Sequence, residues 1–146
     1  MYENTSTQIK LIGKLSDEIC FRNGVEQGHP LSPELFKIFI HDLSLKLNSI
    51  IKEIPELNGT HISHLFWADD LVLLSLSEKT LQILVSILEK YCTMWGLTIN
   101  PKKTKILTFN KAGRFIQPKE DILLNGKPIV TTKSYCYLGI VFIPSV

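Results

Sequence analysis

Residues 65–74 read Leu-Phe-Trp-Ala-Asp-Asp-Leu-Val-Leu-Leu, and no other stretch constrains the fold as tightly. Two adjacent acids stand between apolar runs of strand length. Burying two like charges side by side costs free energy unless they reach water or a cation. The chain therefore has to turn at Ala68-Asp69-Asp70, with residues 62–67 and 71–76 as strands on either side. A magnesium ion at the turn resolves the repulsion, because Mg2+ takes carboxylate oxygens, commonly one or two together with substrate phosphates. A hairpin tip with two solvated acids resolves it as well, since Asp tolerates turn geometry. The same doublet excludes a membrane-spanning helix, which needs about 18 or more uninterrupted apolar residues.

Helices are expected on both sides of this hairpin. Leu31-Ser32-Pro33-Glu34 reads as a helix start. Ser32 caps, Pro33 suits the first helical position, and Glu34 opposes the positive end of the dipole. Leu31 and Phe36 are spaced as a hydrophobic staple. Apolar Leu35, Phe36, Phe39, Ile40, Leu43, Leu47, Ile50 and Ile51 carry the helix to about residue 52, and Pro55 and Gly59 then break the pattern. A second helix is expected over 78–95, capped by Ser77 and ended by a left-handed Gly96. Its buried stripe is Leu81, Leu84, Val85, Leu88, Tyr91, Cys92 and Trp95. Residues 7–12 and 18–22 read as a hairpin around Gly13-Lys14, and Ile122 to Val130 as a hairpin turned by Asn125-Gly126. Ile106 to Phe109 and Tyr135 to Phe142 read as further strands. The fold class is α+β, helices packed on one face of a mostly antiparallel sheet. At 146 residues and 45% hydrophobic, the chain has enough apolar material for one compact domain.

The net charge of +2 hides an asymmetry. Residues 1–100 carry eight Lys/Arg against twelve Asp/Glu, and residues 101–146 carry eight against two. The basic block (Lys102, Lys103, Lys105, Lys111, Arg114, Lys119, Lys127, Lys133) either neutralises phosphates or is a solvated face. Ahead of the first helix, Asn23-Gly24-Val25-Glu26-Gln27-Gly28-His29-Pro30 packs two glycines into a loop. Such a loop admits a ligand close to the backbone and offers helix N–H groups to phosphate, or it is a plain strand-to-helix connection. His61 and His64 read as surface histidines, because a spacing of three on a strand sends them to opposite faces. Cys20, Cys92 and Cys136 are far apart with no CxxC spacing, and no secretory signal opens the chain. Both point to reduced thiols in an intracellular protein, nuclear or cytoplasmic.

Taken in order, these segments resemble the reverse transcriptase family, of the non-LTR retrotransposon type. Gly24-Val25-Glu26-Gln27-Gly28 followed by Pro30-Leu31-Ser32-Pro33 is similar to the family's glycine-glutamine-glycine segment. Trp67-Ala68-Asp69-Asp70 is similar to its Ala-Asp-Asp hairpin. Trp95-Gly96-Leu97 leading to Asn100 and Lys103-Thr104 is similar to its next element, and Tyr137-Leu138-Gly139 to its primer-grip signature. The resemblance implies a polymerase palm-like antiparallel sheet and RNA-directed DNA polymerisation. Asp69 and Asp70 become catalytic metal ligands for Mg2+ in a two-metal displacement. Gln27 and Gly28 line the nucleotide and template pocket, Lys103 approaches the triphosphate, and Tyr137, Leu138 and Gly139 steady the primer end. The implied partners are an RNA template, a DNA primer and deoxynucleotide triphosphates, with no membrane.

The departures carry expectations of their own. Glu26 stands where the family often has Arg or Lys, His29 where Cys or Asp is common, and Trp67 where Tyr or Phe is usual. The family's first catalytic aspartate falls on a strand that would precede Met1, and the fingers and most of the thumb are missing. Residues 1–146 are thus expected to be a truncated, partial reverse transcriptase domain with an incomplete two-metal site. Within it, 1–22 form a hairpin and 101–146 a basic part with the primer-grip-like strand. Alone it is expected to be inactive. The alternative is a non-catalytic retroelement remnant with weak nucleic-acid binding.

Overall fold

The computed structural model describes residues 6–20, 24–25 and 28–144. Contacts group the chain into two compact units, Met1–His41 and Asp42–Val146.

The first unit opens on a long antiparallel hairpin. β1 (Ser6–Thr7) pairs with β4 (Ile19–Cys20), and β2 (Lys10–Leu11) with β3 (Lys14–Leu15). The turn is Ile12-Gly13, one residue before the expected Gly13-Lys14, because both residues adopt positive φ, 47° and 77°. The registers Thr7↔Ile19 and Lys10↔Leu15 leave one extra residue on the returning side, a bulge. Ser16 occupies it. Its hydroxyl oxygen accepts the Ile9 N–H at 2.9 Å and its own N–H donates to the Ile9 carbonyl at 2.9 Å. Residues 21–22 of the expected strand lie outside the described residues.

Helix α1 (Ser32–Asn48) starts one residue earlier than expected. Ser32 is helical and buried, and the Leu31 carbonyl accepts the first helical N–H, from Leu35, at 3.0 Å. The cap therefore falls at Leu31 rather than Ser32. The Leu31 N–H is taken up by His29 Nδ1 at 3.2 Å. The helix also ends before residue 52. The Ile50 N–H tightens onto the Leu47 carbonyl at 3.2 Å, and the Ser49 hydroxyl donates to the Lys46 carbonyl at 2.7 Å. Beyond it, β5 (Glu56–Leu57) and β6 (Thr60–His61) form a hairpin where only a break is expected. Its turn is Asn58-Gly59, φ 50° and 78°, the same dipeptide type as Asn125-Gly126.

The second unit is built around the next hairpin and helix. β7 (His64–Trp67) pairs with β8 (Asp70–Leu73), and α2 (Glu78–Trp95) follows with the expected bounds. The Ser77 hydroxyl accepts the Thr80 N–H at 3.2 Å, and Gly96 closes the helix at φ 66°. β9 (Leu123–Leu124) and β10 (Lys127–Pro128) turn at Asn125-Gly126 as expected. Two expectations are corrected. Residues 135–142 are a hairpin, β11 (Tyr135–Tyr137) with β12 (Ile140–Phe142), because Leu138 and Gly139 both take positive φ, 50° and 81°. Residues 106–109 make isolated bridges, Ile106 with Thr131 and Phe109 with Phe115, rather than a ladder strand. The class is α+β, two helices with antiparallel strand pairs. The described ladders are all two-stranded, so the expected sheet is divided into hairpins.

Helix α2 carries two apolar faces. Leu84 and Tyr91 join Leu43, Leu47 and Ile54 in one cluster, with Phe66 and Leu73 packed against it. Val85 joins Ile106, Ile122 and Leu124 in a second, with Leu73 and Leu81 alongside. Leu73 of β8 touches both, which ties the hairpin to the whole core. Fully burying a side chain of this size contributes about 1.5–3 kcal/mol. Trp95, expected in the stripe, is exposed; its ring lies 6.1 Å from that of buried Tyr91, tilted by 43°.

A carboxylate from the 49–55 loop reaches the start of α2. Glu53 Oε2 accepts from the Ser77 hydroxyl at 2.6 Å and from Thr80 Oγ1 at 3.0 Å. These hydrogen bonds hold the Glu53 carboxyl below its ordinary range. A depressed folded-state pKa adds stability above the unfolded value, and this stability is lost as pH falls through the folded value. Glu53→Gln is therefore expected to lower the urea midpoint near pH 7 and to lower it less near pH 3. An equal loss at both pH values would refute the assignment.

Candidate active site

The register Trp67↔Asp70 leaves Ala68 and Asp69 as a two-residue turn. Asp70 opens β8 instead of belonging to the turn, which corrects the expected three-residue tip. The pairing also sorts the side chains. His64, Phe66, Leu71 and Leu73 share one face, and Phe66 and Leu73 pack into the core. Leu65, Val72, Trp67 and Asp70 share the other. Asp70 thus stands beside Trp67, which is 65% exposed. Asp69 is exposed in the turn itself. Among the described residues no Lys, Arg or His forms an ion pair with either acid.

Ala68 sits at φ 50°, in the left-handed region. For an L residue that conformation costs about 1–2 kcal/mol. Strain of this kind persists where the surrounding structure over-determines it. Ala68→Gly is expected to raise the unfolding free energy by about 1 kcal/mol, read from urea denaturation. A neutral or destabilising result would place the strain elsewhere.

The base of the hairpin is pinned by His64. Its Nε2 lies 2.8 Å from the Ser44 hydroxyl of α1, and its Nδ1 lies 2.9 Å from the Ser63 hydroxyl. Ser63, almost fully buried, donates to Asn48 Oδ1 at 3.3 Å. With that proton committed, His64 Nδ1–H donates to Ser63 and Nε2 accepts from Ser44. Burial pushes the imidazole pKa down, in keeping with this neutral form. The expectation of two surface histidines is therefore corrected for His64 and kept for exposed His61. The reason is tertiary: hydroxyl groups from α1 and from the neighbouring residue meet the ring.

The remaining expected site residues are distributed as follows. Gly28 belongs to the first unit, in an exposed loop, at φ 88° where a side chain would be strained. Gln27 and its neighbour Glu26 lie outside the described residues. Lys103 is exposed on a turn that Asn100 organises. Asn100 Oδ1 accepts the Lys102 N–H at 3.0 Å and the Lys103 N–H at 3.3 Å, and the Asn100 carbonyl accepts from Thr104 Oγ1 at 2.9 Å. Asn100 thus organises the turn that carries Lys103, and Asn before Pro is the turn signal in the sequence. Tyr137 pairs with Ile140, so Leu138 and Gly139 form the tip of the β11–β12 hairpin. Among the described residues no group of three or more His, Cys, Asp or Glu side chains is placed to hold a metal ion. Among them, too, no helix is long and apolar enough to cross a membrane.

A family model described as reverse transcriptase (RNA-dependent DNA polymerase) matches residues 3–142. The chain belongs to this family. A Pol polyprotein of the retrotransposable element R2 of Popillia japonica is 32% identical over 141 residues, 93% of this chain and 23% of that protein. The corresponding R2DM protein of Drosophila melanogaster is 34% identical over 103 residues, 70% of this chain and 10% of its own length. The RNA-directed DNA polymerase of the mobile element jockey from Drosophila funebris is 28% identical over 124 residues, 81% of this chain and 13% of its own length. The chain thus spans less than a quarter of the relatives it matches.

Proposed function

We propose that this chain is the part of an RNA-directed DNA polymerase palm that presents the catalytic acid pair. The β7–β8 turn carries this reading. Asp69 in this turn and Asp70 at the start of β8 are adjacent, exposed carboxylates with no ion pair among the described residues, next to a strained Ala68 and above a base locked by His64 and the core. Such a donor set fits a hard divalent cation, which takes one or two carboxylates and completes its shell with phosphate oxygens and water. Mg2+ bound there supplies activation of the primer 3′ hydroxyl and charge stabilisation of the leaving pyrophosphate.

The chain's own residues do the positioning. Asp69, in the turn, is the direct ligand, and Asp70 stands next to it on the solvent face of β8. By their likeness to the family's glycine-glutamine-glycine segment, Gln27 and Gly28 are assigned to the template and incoming nucleotide. Lys103, on the Asn100 turn, meets the triphosphate. Tyr137, Leu138 and Gly139 contact the primer end. The RNA template, DNA primer and deoxynucleotide triphosphates are the substrates under this reading. Family membership and the likeness to the R2 and jockey proteins support it.

Mn2+, a paramagnetic substitute for Mg2+, tests the site directly. Titrated into the isotope-labelled chain, it should broaden the amide signals of residues 67–71 first. Broadening centred elsewhere, or none, would overturn the reading. The 146-residue chain by itself is expected to extend no primer on an RNA template with Mg2+ and nucleotides. Among the described residues no third ligand joins the two carboxylates, and two alone leave a two-metal site incomplete. Robust extension that Asp69→Asn abolishes would show that this chain needs no further carboxylate.

A further inference from the structure

Residues 106–109 are the middle segment of a small platform in the second unit. On one side the Ile106 N–H donates to the Val130 carbonyl at 3.0 Å, and the Ile106 carbonyl accepts the Thr132 N–H at 2.8 Å. On the other side Phe109 lies opposite Phe115, and the Thr108 hydroxyl donates to the Ile116 carbonyl. Asn110 closes the connecting loop. Its Oδ1 accepts the N–H groups of Ala112 and Arg114 at 2.9 Å each, and its own N–H donates to the Arg114 carbonyl at 2.8 Å. The loop 110–114 is therefore ordered by its own hydrogen bonds, with Lys111 and Arg114 exposed on it. Lys133 Nζ stands 5.7 Å above the Phe115 ring. Exposed Lys105 lies at the start of the middle segment. Residues 105–119 and 127–134 contain no Asp or Glu, and among the described residues none of these cations forms an ion pair. Phe109, in the midst of them, is 49% exposed.

We propose that this platform binds single-stranded nucleic acid, with a base stacked on Phe109 and backbone phosphates on Lys111, Arg114 and Lys133. An exposed ring with cations that form no ion pair among the described residues matches how single strands are held: every base has a π-face, and the phosphates follow a positive track. A base inside a duplex is already stacked and has no free face for Phe109, so duplex binding here is weaker. The inference rests on the reading that this chain works on nucleic acid. It adds a contact separate in sequence from the acid pair and from Lys103.

The test is fluorescence anisotropy of the 146-residue chain with labelled oligo(U), oligo(dT) and a duplex of equal length, at low and moderate salt. Both single strands are expected to bind more tightly than the duplex, and the tighter of the two identifies the strand held. Phe109→Leu should weaken binding about tenfold, and Phe109→Trp should retain it. Lys111→Gln with Arg114→Gln should lower the salt slope by about 1.4, at about 0.7 per phosphate contact. Circular dichroism of each variant checks folding. No binding, equal binding of duplex and single strand, or wild-type binding by both Phe109→Leu and the double variant would overturn the platform. Mn2+ broadening at residues 67–71 should be unchanged in Phe109→Leu. Loss of the metal signal with oligonucleotide binding intact therefore refutes the acid-pair reading alone, and the reverse result refutes the platform alone.

Discussion

Asp69→Asn is expected to weaken Mn2+ binding at the β7–β8 turn by about tenfold or more, and Asp70→Asn by less. The asymmetry follows from the register. Asp69 lies within the two-residue turn, beyond the last ladder pair, so its carboxylate is placed at the tip. Asp70 is held in that last pair, beside Trp67. Losing a directly coordinating carboxylate removes both a unit charge and a ligand oxygen, and even the partners that only orient ligands are worth about 10–100-fold. Without metal the effect on stability should be small and favourable, since one of two adjacent like charges is gone. That opposite sign separates a metal-binding role from a structural one. Equal effects of the two substitutions, or no effect of either, would overturn the assignment of Asp69 as the direct ligand. Isothermal titration with Mn2+ on folded variants measures both.

Leu84→Ala is expected to cost about 3 kcal/mol or more of unfolding free energy. Leu84 is 0% exposed and sits in the cluster formed by Leu43, Leu47, Ile54 and Tyr91. Truncation there loses the transfer free energy and leaves a cavity, and such changes cost about 2–5 kcal/mol. Domains of this size hold only about 5–15 kcal/mol in total, so the loss is a large share. The neighbouring substitution Ile83→Ala, at a half-exposed position, should cost well under half as much. Urea denaturation followed by circular dichroism reads both. Similar losses at the two positions would contradict the packing of α2. Because Phe66 and Leu73 pack on the same cluster, Leu84→Ala should also loosen the hairpin that carries Asp69.

The elements legible in the sequence were those whose causes are local. Ser77, the apolar period and Gly96 define α2 within its own residues, and its bounds match. Asn125-Gly126 specifies its turn because both residues tolerate positive φ. Asn58-Gly59 carries the same signal and marks a hairpin that the reading of Pro55 and Gly59 as a simple break passes over. Leu138-Gly139 was hidden for a related reason, since leucine rarely takes the left-handed conformation it adopts there. The cap of α1 lies at Leu31, whose carbonyl accepts the Leu35 N–H and whose own N–H is taken by His29, a contact with no signature in the spacing.

The candidate site divides in the same way. From residues 65–74 alone, an acid pair between apolar runs has to become a turn, and the ordered motifs are enough to identify the family. Those conclusions need only charge, hydrophobicity and spacing along a few residues. The tertiary structure decided that Asp69 is in the turn while Asp70 begins a strand, that Ala68 bears the positive φ, and that His64 is a half-buried, hydrogen-bonded anchor instead of a free surface residue. It also brought Glu53 to Ser77 and Lys133 to Phe115. Each of these depends on pairing or burial between residues distant in the chain. Hydrogen bonds and packing of that range have no local period in the sequence, and they are specified only when the partners meet in the fold.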